Sequence, residues 1–113
     1  MNEVTVIHMA YEESPVTVAK VRVGDRKSDE ALSYAYEKTN NIEGSWSLPK
    51  YVKRHTSRQF LTFNKDYSKD VDVVAELPAP NLGLRSTSVG DLLVFKGETF
   101  KVDNVGFTNL GAL

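Results

Sequence analysis

No cysteine occurs in the 113 residues, which excludes disulfides, thiolate metal sites and thiol nucleophiles together. Histidine is nearly as scarce. His8 falls within a β-branched run, where a satisfied sheet histidine is expected, and His55 sits in a basic run without a neighbouring acid. No H-x-x-x-H, H-E-x-x-H or paired-carboxylate motif occurs, so a metal hydrolase has no evident ligands, and G-S-W-S lacks the spacing of a nucleophile elbow. Neither sign of charge is in excess: 14 Lys and Arg stand against 15 Asp and Glu, with pI ≈ 6.1. A chain that binds nucleic acid through overall charge is basic and a DNA mimic is strongly acidic, so any electrostatic partner must be met by a local patch. Long apolar runs are missing too. The start, MNEVTVIHMAYEES, carries Glu3 and no basic segment, which reads as neither a secretory signal nor a membrane anchor and leads to the expectation of a soluble, cytoplasmic protein.

What is present is ordinary globular composition, 41% hydrophobic and 26% charged, enough for one domain spanning 1–113 with a single core. EVTVIHMAY is apolar on both faces, with Val4, Val6 and His8 on one, as a strand inside a sheet would be. After Pro15, VTVAKVRVG reads as its antiparallel neighbour, with Val16, Val18, Lys20 and Arg22 on one face and Thr17, Ala19, Val21 and Val23 on the other. The period changes at Ser28, an N-cap candidate followed by Asp29 and Glu30. Ala31, Leu32, Ala35 and Tyr36 then recur at helical spacing to Thr39, before an Asn40-Asn41 stop. Residues 41–59 read as an extended connection and RQFLTFNKDY as a short strand with Phe60 and Thr62 opposite Leu61 and Phe63. VDVVAELPAP reads as another strand, and DLLVF-KGE-TFKVD as a hairpin turning at Gly97. Gly106 reads as a bulge that turns Phe107 inward before a last short strand. These elements predict an α+β fold: a curved, mostly antiparallel sheet of about five or six strands with one helix packed across it.

The order ALSYAYEKTNNIEGSWS, then LRSTSVGDLLVFKGETFKVDNVGF, resembles a group of small uncharacterised tailed-phage proteins. These carry a Tyr-Ala helix, a Ser-Trp pair and a C-terminal Arg-Ser-x-Ser-Val-Gly-Asp…Gly-Phe module related to C-terminal modules of mobile-element proteins. The resemblance covers residues 31–47 and 84–110. It implies an origin and a fold and no catalytic chemistry. Within the module, Ser86, Thr87 and Ser88 offer hydroxyls to a phosphate, but no Gly-rich loop or following helix accompanies them, so a structural turn is expected.

Two features remain for function. PKYVKRHTSR places Lys50, Lys53, Arg54 and Arg58 together without an acid, although Asp66, Asp70 and Asp72 follow and can neutralise them. Trp46 is either a core anchor, the preferred reading, or a hot spot, and Tyr34 lies opposite Ala31 and Ala35 on the helix. The expected function is that of a non-enzymatic, phage-encoded protein that binds a host or phage macromolecule in the host cytoplasm. Its expected contact residues are Tyr34, Trp46, Tyr51, Lys53 and Arg54, with no cofactor and no metal. The alternative is a small nucleic-acid-binding protein using the basic loop 50–58, and the second alternative an enzyme with a site invisible in sequence.

Overall fold

The structure, a computed structural model, describes residues 2–53, 61–79 and 82–112. Strand β1 (Glu3–His8) lies between β2 (Val16–Arg22) and β6 (Leu92–Phe95), paired antiparallel with both. Its two-faced apolar character thus matches an interior position. The sheet continues on one side to β5 (Val71–Val73) and on the other to β7 (Glu98–Val102) and β8 (Phe107–Ala112), in the order β5-β2-β1-β6-β7-β8. β3 (Tyr51–Lys53) and β4 (Leu61–Phe63) pair only with each other as a separate two-stranded sheet. The fold is α+β, as the elements predict.

Helix α1 (Ser28–Lys38) lies on the middle strands β1, β2 and β6 and buries Ala31, Leu32 and Ala35. Two alanines on the buried face let the backbone come close to the sheet. Ser28 is not the N-cap. That position is Lys27, whose side chain makes no capping bond, so Asp29 and Glu30 meet the positive end of the helix dipole without a capping side chain. At the other end the chain stops one residue early. Thr39 Oγ1 donates back to Ala35 O at 2.8 Å, satisfying a carbonyl that the next turn would have used.

Two expectations on the sheet are corrected. Between Val6 and Ile7 the register shifts, so that Val6 faces Ala19 while Ile7 faces Thr17, and Val18 is the extra residue of a bulge. Strict alternation therefore fails in β2. Val18 and Ala19 are both buried, and Val16 comes opposite His8. Gly106 is not a bulge but belongs to the turn before β8. The register shift there lies at Thr99/Phe100, across from Gly111. Phe107 still turns inward, edge-on to Tyr36 at 6.3 Å between centroids.

The β6–β7 turn is Lys96-Gly97, with φ of 50° and 79°, the positive pair that a two-residue hairpin turn demands. Gly97→Val forces a β-branched residue into that region. It is expected to lower stability by about 1–2 kcal/mol, read as a reduced urea midpoint. A midpoint at the wild-type value would mean the turn rearranges at no cost.

Candidate functional site

Of the five expected contact residues, the three whose side chains are described, Tyr34, Trp46 and Tyr51, do not form one surface. Trp46 is 1% exposed and belongs to the core, its ring edge-on to His8 at 6.2 Å between centroids. Its Nε1 donates to Arg85 O at 2.9 Å, which fixes the loop after α1 against the segment before β6. Trp46 is therefore an anchor, and its place in a contact surface is withdrawn. Tyr34 is half-buried. Its hydroxyl donates to Asp70 Oδ2 at 2.5 Å, and the Arg26 guanidinium covers its ring at 3.7 Å from the centroid. That hydrogen bond to the carboxylate raises the Tyr34 pKa. With both its hydroxyl and its ring engaged, Tyr34 is not the open aromatic that its helix position suggested. The Lys53 side chain and Arg54 lie outside the described residues.

Tyr51 is different. It stands opposite Phe63 in the β3–β4 pair, the rings 6.0 Å apart, and the two are 54% and 52% exposed. Lys50 Nζ lies 5.8 Å from the Tyr51 ring. The arm is rooted by Asn64, whose Nδ2 donates to the carbonyls of Ser45, Leu48 and Pro49 at 2.6–3.1 Å. Beside it the Asp66 carboxylate accepts from the backbone N–H groups of Ile42, Glu43 and Gly44. Asp70 holds Tyr34, and Asp72 pairs with Arg22 at 2.6 Å. The three acids that follow the basic stretch are thus committed elsewhere. Phe63 is not among the expected contact residues because alternation sets it on one face with Leu61, opposite Phe60 and Thr62, without saying which face meets solvent.

The segment Arg85–Asp91 builds a second polar centre. Asp91 is fully buried and accepts from the N–H groups of Met9, Ala10 and Ser88 at 2.8–2.9 Å. Arg85 grips it through Nη1 and Nη2 at 2.7 and 2.8 Å, and grips Glu12 through Nε and Nη2 at 3.1 and 2.8 Å. Burial alone would raise the Asp91 pKa. The guanidinium and the three N–H donors outweigh it and hold the carboxyl at about 2, below the usual 3.8. The Arg and Asp that open and close the Arg-Ser-x-Ser-Val-Gly-Asp module are therefore bonded to each other. Between them, Ser86 Oγ accepts from Asn41 N at 2.8 Å and Ser88 Oγ donates to Ser86 O at 3.2 Å. Those serines serve the scaffold, as the turn reading expects.

Thr87 continues the network inward. Thr39 spends its hydroxyl proton on Ala35 O, so it must accept from Thr87 Oγ1 at 2.8 Å. Thr87, its own proton spent, must accept from His8 Nε2 at 3.0 Å. His8 thereby carries a proton on Nε2. Burial lowers its pKa, with Asp91 opposing the shift. The sequence offered one signal for this centre, the Arg and Asp at the ends of one module. Glu12 and His8 gave none.

Among the described residues, no group of three or more His, Asp or Glu side chains is arranged to hold a metal ion, and no helix is long and apolar enough to cross a membrane. Compared with family models, curated proteins and solved structures, the chain matches none.

Proposed function

We propose that this chain is a non-enzymatic binding protein of tailed-phage origin that engages a host or phage protein in the host cytoplasm through its β3–β4 arm. One observation carries the reading: Tyr51 and Phe63 form a solvent-facing aromatic pair on a two-stranded sheet separate from the main one. Exposed aromatics give large contact area at low entropic cost, and tyrosine is among the residues in which protein hot spots are enriched. The contact set becomes Tyr51, Phe63 and Lys50, with Lys53 and Arg54 next in sequence.

A second reading, single-stranded nucleic acid on the same arm, draws on Lys50 beside Tyr51 and on the run to Arg58, since bases stack on exposed rings and phosphates follow the cations. Affinity capture from host lysate, with and without nuclease, separates the two. A protein partner is expected to survive nuclease and to change little in affinity as salt rises, whereas a nucleic-acid complex weakens steeply. The double variant Tyr51→Ser, Phe63→Ser is expected to keep the wild-type unfolding midpoint and to lose the captured partner. Undiminished capture by that variant rules out the arm.

A further inference from the structure

We propose that the cleft at the open end of the β1–β2 pair binds a small organic cation, a primary or secondary ammonium carried on an apolar body. The cleft has a volume of about 480 Å³, within the range of roughly 300–1,000 Å³ common to small-molecule sites. It shares no residue with the β3–β4 arm. The bulge at Val18 sets its floor by turning Val16 and Val18 to the His8 side of the sheet, and Ala75 and Leu84 extend the apolar wall. A ligand body of hydrocarbon is what such walls accept.

The polar groups at the cleft decide which head group fits. Arg85 looks like an anion receptor, but it has no donor to give. Its five N–H groups go to Glu12 Oε2, Glu12 Oε1, Asp91 Oδ1, Asp91 Oδ2 and Ser86 O. An anion would have to break that arrangement while facing Glu12 and Glu76, both of which line the cleft. With Asp91 behind it, one guanidinium is set against three carboxylates.

His8 supplies an acceptor. Its ring is 2% exposed and lines the cleft, and its proton is committed through Nε2 to Thr87. Burial favours the neutral ring, in which Nδ1 carries the lone pair, and Nδ1 has no partner among the described residues. Glu76 is exposed, and its carboxylate makes no hydrogen bond or ion pair among the described residues. Each polar valence left unspent at the cleft is an acceptor, and the carboxylates outnumber the cation. A ligand N–H donor bearing positive charge satisfies both conditions; a carboxylate or phosphate satisfies neither.

The test uses three probes of one shape on the wild-type protein: 2-phenylethylammonium, neutral 2-phenylethanol and anionic 3-phenylpropionate. Each is titrated while the His8 ring nitrogens are followed by ¹⁵N NMR. The ammonium is expected to bind at least about tenfold more tightly than the alcohol, one charge-assisted hydrogen bond's worth. The carboxylate is expected not to bind, and the Nδ1 resonance to move with ammonium concentration while Nε2 stays protonated. Glu76→Gln, which leaves the buried network intact, is expected to weaken ammonium binding about tenfold. Equal response to the alcohol, preference for the carboxylate, silence from all three probes, an unmoved Nδ1 signal, or affinity indifferent to Glu76→Gln would each overturn the assignment.

Discussion

Asp91→Asn is expected to cost about 3–5 kcal/mol of folding stability, because it removes one partner of a buried ion pair. The shape is kept, but the chemistry is not. The two carboxylate oxygens accept from three backbone N–H groups and both terminal nitrogens of Arg85. An amide keeps one oxygen and turns an NH₂ toward donors. Against a total stability of about ten kcal/mol for such a domain, that loss removes roughly a third to a half, and urea denaturation reads it directly. A loss below about 1 kcal/mol would mean that water already satisfies this site. The same linkage is open to acid titration of the wild type. The folded Asp91 pKa lies below its unfolded value, so its contribution is complete above pH 3.8 and is lost as pH falls toward 2. It amounts to about 2 kcal/mol. His8 adds an earlier loss. Burial lowers its folded pKa beneath the ordinary 6.5, so the unfolded chain takes up the proton first and stability begins to fall below pH 6.5. A stability profile flat from pH 7 to pH 5 would contradict the buried neutral imidazole.

Trp46→Ala is expected to cost about 3–5 kcal/mol, as large buried aromatics do when truncated. Three consequences combine. A cavity opens in the core, the Arg85 carbonyl loses its Nε1 donor, and the His8 ring loses its edge-on neighbour. Trp46→Phe separates them. It refills part of the volume and keeps an aromatic beside His8 while still leaving the carbonyl without its indole donor, a loss of about 1–3 kcal/mol. Both values are read from thermal or urea midpoints. If Trp46→Ala instead left the midpoint unchanged and abolished partner capture, the tryptophan would belong to a contact surface after all.

By itself the sequence determined the elements whose information is local. Ala31, Leu32 and Ala35 state a helix and its buried face within two turns, because a 3.6-residue period needs only near neighbours. Lys96-Gly97 between two alternating runs states the β6–β7 hairpin, and the two-sided apolar character of β1 states its interior place. Even there the ends moved: the cap fell on Lys27 and the stop on Thr39, since side-chain competition at a terminus is settled by what else is near. Of the β3–β4 arm the sequence showed β4 as a short strand but not β3 or the pairing, because a three-residue strand inside a polar connection is too short to show a period and its pairing comes from the partner strand. The polar centre escaped for a different reason. Arg85 meets Asp91 from six residues away but Glu12 from 73, and His8 meets Thr87 from 79. Such meetings exist only once β1 lies beside β6 and the chain has closed on itself. Tertiary structure alone decided that Trp46 is buried, that Tyr34 is engaged by Asp70 and Arg26, and that Phe63 turns out. It also decided that one extra residue in β2 places two valines beside a histidine with a bare nitrogen. Periodicity reports which face of an element is apolar, but what that face meets depends on which strands the whole chain brings together.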